Sequence, residues 1–421
     1  MKTISGGVCA PKGFSAGGIR CGIKPTSQKK DLALIYSRKP CSAAAMFTAN
    51  KVKAASIQVS RKNIEDGALR AIIVNSGNAN ACTGGEGLAA AERMAQLAAD
   101  ALSIDSSDVA VASTGVIGVQ LPINLIADNI GALKACLRED QNGHSDALTA
   151  IMTTDTRKKE IAIEIELDGK PARIGAMAKG SGMIHPNMAT MLAFITTDAA
   201  IDRGALDFCL RGAVKRSFNR LTVDGDTSTN DMVLVMANGE AGNFTINIEQ
   251  RTENKEQLTE KKEKSNFEIF NEALEFVCVE IAKMMARDGE GATKLVTVKV
   301  SGAFCEDTAA SLAKSVAGSS LVKAACFGSD ANWGRVLCAM GYSGADFTPE
   351  KAGVSFISRA GSVEVCRDGQ NVSFSEEKAK KILSEEEIEI CISLKDGMGE
   401  ASAWGCDLTY DYVKINGDYR S

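Results

Sequence analysis

Thr190 stands where a glycine-rich turn meets an apolar run, in Ala178-Lys-Gly-Ser-Gly-Met-Ile-His-Pro-Asn-Met-Ala-Thr-Met-Leu192. Two readings of it are open. A threonine at such a junction is an ordinary β-branched strand residue. Alternatively, cleavage of the Ala189–Thr190 peptide would free an α-amine, which ordinarily titrates near about 8, beside its own hydroxyl. That amine is a built-in general base for an N-terminal threonine nucleophile, and the chemistry needs no histidine. The chain has only two histidines, His144 and His185. Metal sites or triads that need several imidazoles are therefore nearly excluded, and no metal is expected.

Other short polar segments have a similar character. They are Asn75-Ser-Gly-Asn-Ala-Asn80, Ser113-Thr114-Gly115, Thr153-Thr-Asp-Thr156, Lys179-Gly-Ser-Gly-Met183, Asp224-Gly-Asp-Thr-Ser-Thr-Asn230 and Arg287-Asp-Gly-Glu-Gly-Ala-Thr-Lys294. Each falls where a strand should start or stop. Singly, Gly, Asn, Asp and Ser make turns. Six such segments, rich in hydroxyls and amides, point to one site held by a rigid scaffold. Gly13-Phe-Ser-Ala-Gly17 fits G-x-S-x-G but lacks the strand and helix of a nucleophile elbow, so it reads as a chance match in a glycine-rich loop.

Helical periodicity marks about 85–102, 122–137, 203–217, 267–286 and 308–325. Alternating patterns predict strands at 160–167, 295–300 and 387–393. Buried runs predict others at 70–75, 108–112, 191–195 and 231–236. The mixture lacks a steady βαβ rhythm, which favours a layered α+β fold. Residues 249–265 are highly charged and read as an exposed insertion.

The 421 residues carry 48 Lys+Arg against 53 Asp+Glu, a net charge of −5, without a basic stripe. That argues against nucleic acid as the partner. No apolar run suits a membrane span or a secretory signal. The 13 scattered cysteines read as reduced, mostly buried thiols of a cytoplasmic protein.

The run Lys179–Leu192 resembles the self-cleavage signature of the ornithine acetyltransferase (glutamate N-acetyltransferase) family of arginine biosynthesis. Segments 17–24, 75–84, 113–118, 152–156, 224–231, 287–294, 330–335, 404–409 and 411–421 are similar to the same family in the same order, so the resemblance covers essentially the whole chain.

The resemblance implies an αββα sandwich of the kind shared with self-cleaving aminopeptidases. It implies autocatalytic cleavage between Ala189 and Thr190, into an α chain (1–189) and a β chain (190–421) that stay associated as an α2β2 heterotetramer. Thr190 would be the nucleophile, and Thr114 and Gly115 the oxyanion hole. Thr153, Lys179, Thr190, Glu290, Asn416 and Ser421 would bind substrate. The implied reaction is ping-pong acetyl transfer from N2-acetylornithine to glutamate, without a cofactor. Family members either stop there or also take acetyl from acetyl-CoA, and no residue here separates the two. A self-processing aminopeptidase or amidase on the same scaffold, with water in place of glutamate, is the alternative. Two local departures are the charged stretch 249–265, longer than is usual in the family, and a tail ending Arg-Ser where Arg-Thr is also common. Either tail provides a hydroxyl.

Overall fold

The computed structural model describes residues 1–185, 191–251 and 264–417. Ala189, Thr190, Ser421 and most of the charged 249–265 stretch lie outside the described residues.

One strand of sixteen residues, Leu32–Phe47, organises the larger sheet. Its first half pairs antiparallel with Phe14–Ile19 and Ala68–Asn78. Its second half, from Ser42, pairs with Met232–Ala237. The ladder shifts register between Tyr36 and Cys41, where Pro40 has no N–H to donate. The complete order is Lys2–Ile4, Lys159–Leu167, Lys170–Lys179, Leu192–Thr197, Met232–Ala237, Leu32–Phe47, Ala68–Asn78 and Val109–Val116, with Phe14–Ile19 branching from the long strand.

Side chains alternate across a strand, so each half of this sheet serves two layers. Ala33, Ile35, Ile72 and Val74 of one half share a buried cluster with Leu192, Phe194, Leu234 and Met236 of the other. The two halves therefore lie face to face. The intervening residues point outward. Leu32, Leu34, Ile73 and Val111 pack beneath helices Gly84–Leu102 and Ile123–Ala135. Ala193, Ile195, Val233 and Val235 pack beneath Arg203–Arg216 and Asn266–Arg287. The result is an αββα sandwich, an α+β architecture. Asp202 caps Arg203–Arg216, and Ser265 and Glu268 form a reciprocal capping box at Asn266–Arg287, satisfying amides that a helix start leaves without partners.

A second sheet of six strands, ordered Gln370–Asn371, Gly361–Arg367, Gly353–Ser358, Glu387–Ser393, Leu295–Ala303 and Gly399–Cys406, adjoins the first. Helices Glu306–Gly318, Ser320–Phe327, Trp333–Gly341 and Glu376–Leu383 cover one of its faces.

Two sequence expectations need correction. The 308–325 helix is two helices, broken at Ser319, whose hydroxyl accepts the Val322 N–H to start the second. The 13–17 segment is mostly strand, not a glycine-rich loop. Gly17 answers to close packing, since a Cβ there would sit 2.7 Å from Cys136 Sγ and 2.9 Å from the Cys136 carbonyl oxygen. All thirteen cysteines are free and eight are buried. Among the described residues, no helix is long and apolar enough to cross a membrane.

Candidate active site

Strands Ala68–Asn78 and Val109–Val116 run parallel and end together at the sandwich edge. Thr114 and Gly115 sit at that end, opposite a bulge at Gly77 and Asn78. Gly115 has φ 134°, and a Cβ there would lie 2.3 Å from the Gly77 carbonyl carbon. Glycine alone fits this backbone approach. Asn230 clamps the same edge, its amide donating to the carbonyl oxygens of Ser113 (2.8 Å) and Ala79 (2.6 Å).

Lys179 ends the strand Lys170–Lys179, and its ammonium is 3.2 Å from Thr114 Oγ1. The chain then turns through Gly180 at φ 148°. The Ser181 carbonyl accepts the Glu290 N–H at 2.9 Å. The Glu290 carboxylate lies against Gly182, where a Cβ would be 2.2 Å from Oε2. Asn416, on the short helix Tyr410–Gly417, donates to Glu290 Oε2 at 2.9 Å. Asp224 receives the Met183 and Ile184 amides at 2.5 and 2.8 Å, and so ties the 224–230 segment to the same turn.

These elements enclose a cavity of about 490 Å³. Thr114, Gly115, Thr153, Lys179, Glu290 and Asn416 all line it, so six of the sequence-predicted positions, drawn from five separate segments, come together. Thr154, Ser228, Thr229 and Asn230 line it too, although the sequence does not single them out as individual residues. Their segments are the available signal, being hydroxyl-rich turns at strand ends.

Burial shapes the charges. It draws the Lys179 pKa down against the pull of Asp155. Burial alone would raise Asp155. The ammoniums of Lys179 and Lys159 and the Gly180 N–H override it and hold the carboxyl well below the usual range. Lys24 is lowered to about 8, chiefly by burial, and donates to the Met152 carbonyl oxygen at 2.7 Å, next to Thr153. Asp231 is pushed well above its ordinary value by burial, although its Oδ1 accepts the Met191 N–H at 2.8 Å.

A buried ammonium beside a hydroxyl, a buried carboxylate and a wall of amides and hydroxyls match a small zwitterion. The molecule thus falls in a class, an αββα protein with a polar cavity of mixed charge at the strand ends.

The ArgJ family profile matches residues 15–421. The arginine biosynthesis bifunctional protein ArgJ of Symbiobacterium thermophilum is 52% identical over 422 residues, 100% of both chains. ArgJ 1 of Clostridium acetobutylicum is 52% identical over 97% of this chain and 96% of its own. Among solved structures, the ornithine acetyltransferase of Mycobacterium tuberculosis, in complex with ornithine, is 37% identical over 43% of this chain and 95% of its own, with a TM-score of 0.40. The chain belongs to the ArgJ family and is an acyltransferase of arginine biosynthesis.

Proposed function

We propose that this protein transfers the acetyl group of N2-acetylornithine to glutamate, releasing ornithine and N-acetylglutamate. The observation that carries this reading is the single cavity in which Lys179 and Glu290 offer opposite charges beside Thr114 and Gly115. Lys179 suits a substrate carboxylate and Glu290 an ammonium group. Thr153 and Asn416, which line the cavity, and Ser421 are our further candidates for substrate contact. Donor and acceptor share the amino-acid head, so one pocket serves both half-reactions.

Thr190, freed at its α-amine by autocatalytic cleavage after Ala189, is the nucleophile. Its Oγ attacks the acetyl carbonyl while its proton passes to the amine. Collapse of the tetrahedral adduct expels the ornithine nitrogen and leaves an acetyl ester. Glutamate's amine then attacks that ester, the ester C–O bond breaks, the proton lost by the attacking nitrogen returns to Thr190 Oγ, and N-acetylglutamate leaves. Thr114 and Gly115 stabilise both oxyanions, and one such donor is typically worth about 3–4 kcal/mol. Cleavage would not separate the chains. The strands 192–197 and 232–237 lie in the sheet between 170–179 and 32–47, so residues from the two sides of the cleavage point interleave. We take the assembly to be α2β2, in the cytoplasm, with no metal or resident cofactor. We propose acetyl-CoA as a second acetyl donor; two relatives carry the name bifunctional.

The test is intact mass after denaturation, of wild type and Thr190→Ala, together with loss of acetylornithine with and without glutamate. The expected result is fragments of about 20 and 24 kDa from wild type, one chain of 44.3 kDa from the variant, and turnover that requires glutamate. Unprocessed wild type overturns the nucleophile, and turnover indifferent to glutamate makes the enzyme a hydrolase.

A further inference from the structure

Behind Lys179 lies a buried charge cluster with no part in the reaction as described. The Lys159 side chain is wholly buried, its ammonium 2.7 Å from Asp155 Oδ1 and 2.5 Å from Asp288 Oδ2. Both carboxylates are buried, each residue 4% exposed. With Lys179, the cluster holds two positive and two negative groups. Buried ion clusters are poor sources of stability, because desolvation offsets their attraction. What distinguishes this one is where its remaining bonds go. Asp155 Oδ1 also accepts the Gly180 N–H at 2.7 Å, immediately after Lys179, and Oδ2 accepts the Thr153 N–H at 2.9 Å. Asp288 accepts the Thr156 and Arg157 amides at 3.1 and 3.2 Å, two residues before Glu290. The cluster therefore ties three pocket segments, 153–157, 179–182 and 288–290, to one buried ammonium.

We propose that Asp155 and Lys159 are positioning residues of the acetyl-transfer pocket: Asp155, through the Gly180 and Thr153 amides it accepts, holds the turn that carries Lys179 and sets a negative charge near its ammonium, and Lys159 is the cation that occupies Asp155, so that Lys179 stays open to a substrate carboxylate. The assignment rests on the reading of Lys179 as the carboxylate's partner. Lys179 also faces Glu290 and Asp231, which favour its charge, and Lys159 and Lys24, which oppose it. Removing Asp155's charge leaves Lys179 buried with less compensation, so it deprotonates at lower pH. Removing Lys159 takes away a neighbouring positive charge and frees Asp155 Oδ1, so Lys179 deprotonates at higher pH. The two neighbours of one cluster thus act on Lys179 with opposite signs, and a matching movement of the substrate's kcat/KM profile separates a positioning role from a merely structural one.

The experiment is an NMR titration of the full-length protein carrying 13Cε-labelled lysine, with the Lys179 signal assigned by Lys179→Met. In Asp155→Asn the Lys179 midpoint should fall by about one unit or more, and in Lys159→Met it should rise. The alkaline limb of kcat/KM for glutamate should move the same way, with KM at pH 8.5 raised about tenfold in Asp155→Asn. Shifts of the same sign, or an unmoved midpoint, overturn the proposal. If Asp155→Asn does not fold, Lys159→Met decides alone. If neither single variant folds, the double variant Asp155→Asn/Lys159→Met, which removes both charges, should bring Lys179 back close to its wild-type midpoint; a midpoint far from it overturns the proposal. The titration needs no substrate. Signed shifts without acetyl transfer would discard the proposed reaction and keep the cluster's role, and acetyl transfer without shifts would do the reverse.

Discussion

Lys294, near the second sheet, and Lys179, at the strand ends of the first, are both buried lysines with different company. The Lys294 ammonium donates to the carbonyl oxygens of Cys326 and Leu383, each at 2.7 Å, and to Ser329 Oγ at 2.9 Å. Those three bonds use all three of its protons. Lys179 makes one hydrogen bond among the described residues, to Thr114 Oγ1 at 3.2 Å, and lines a cavity. Lys323 resembles Lys294, donating to the Val223 carbonyl oxygen and lying 3.5 Å from Cys406 Sγ. A lysine that holds a fold together is saturated by fixed acceptors. One kept for a ligand is left short of them, with its charge maintained by carboxylates at a distance.

Exchanging each lysine for methionine would break this comparison most directly. Lys179→Met should lower kcat/KM for glutamate by a hundredfold or more, about 3 kcal/mol for losing one partner of a buried charge pair, with little change in melting temperature. Lys294→Met should do the opposite. It removes the ammonium from three acceptors, of which the Cys326 and Leu383 carbonyls keep the Ser329 N–H and hydroxyl as partners, costing about 1–3 kcal/mol of stability, while the folded fraction keeps its KM. Calorimetry and steady-state kinetics on both variants check it, and a Lys294 variant that raises KM without loss of stability would end the distinction.

Thr114→Val sharpens the same contrast from the other side of the bond. It removes the hydroxyl that meets Lys179 and a proposed oxyanion donor. Turnover should fall about a hundredfold, with single-turnover acetyl-enzyme formation slowed and glutamate's KM changed severalfold at most.

The smallest effect concerns pH. His185 is lowered to about 4, by burial and then by Lys314, while its Nδ1 pairs with Thr222 Oγ1 at 2.9 Å. Unfolded, it titrates near 6.5. Between those values the unfolded state binds the extra proton, so stability rises with pH across this window and is lost on acidification from 6.5 toward 4. His185→Gln should flatten that slope by about 1–2 kcal/mol in denaturant titrations at pH 4.5 and 7. Asp155 acts further down. Its folded pKa lies below its ordinary 3.8, so its contribution is present above 3.8 and lost only as pH falls below that. A slope confined below pH 4 would assign acid sensitivity to the buried cluster and none to His185.

Much of this was legible in the chain. The helices Gly84–Leu102, Arg203–Arg216 and Asn266–Arg287 follow their apolar spacing within a residue or two, because one buried stripe at a period of 3.6 is a local signal. The strand Leu32–Phe47 was not foreseen. It feeds cores on both faces, so period-two alternation is lost, and Pro40 argues against a strand until the ladder is seen to skip there. The glycines of 14–19 looked like a loop because sequence does not reveal which neighbour a missing Cβ admits.

The sequence by itself determined the turn segments, their hydroxyls and amides, and the residues able to carry acyl transfer, since motif chemistry and backbone preference are properties of adjacent residues. Only the tertiary structure decided that Thr114, Thr153, Lys179, Glu290 and Asn416 face one cavity, and that Asp155 and Asp288 share the ammonium of Lys159. The separation of 129 positions from Lys159 to Asp288 carries no periodic signal of that meeting. Burial creates the need for a counter-charge, and burial exists only once the sheet has folded upon itself.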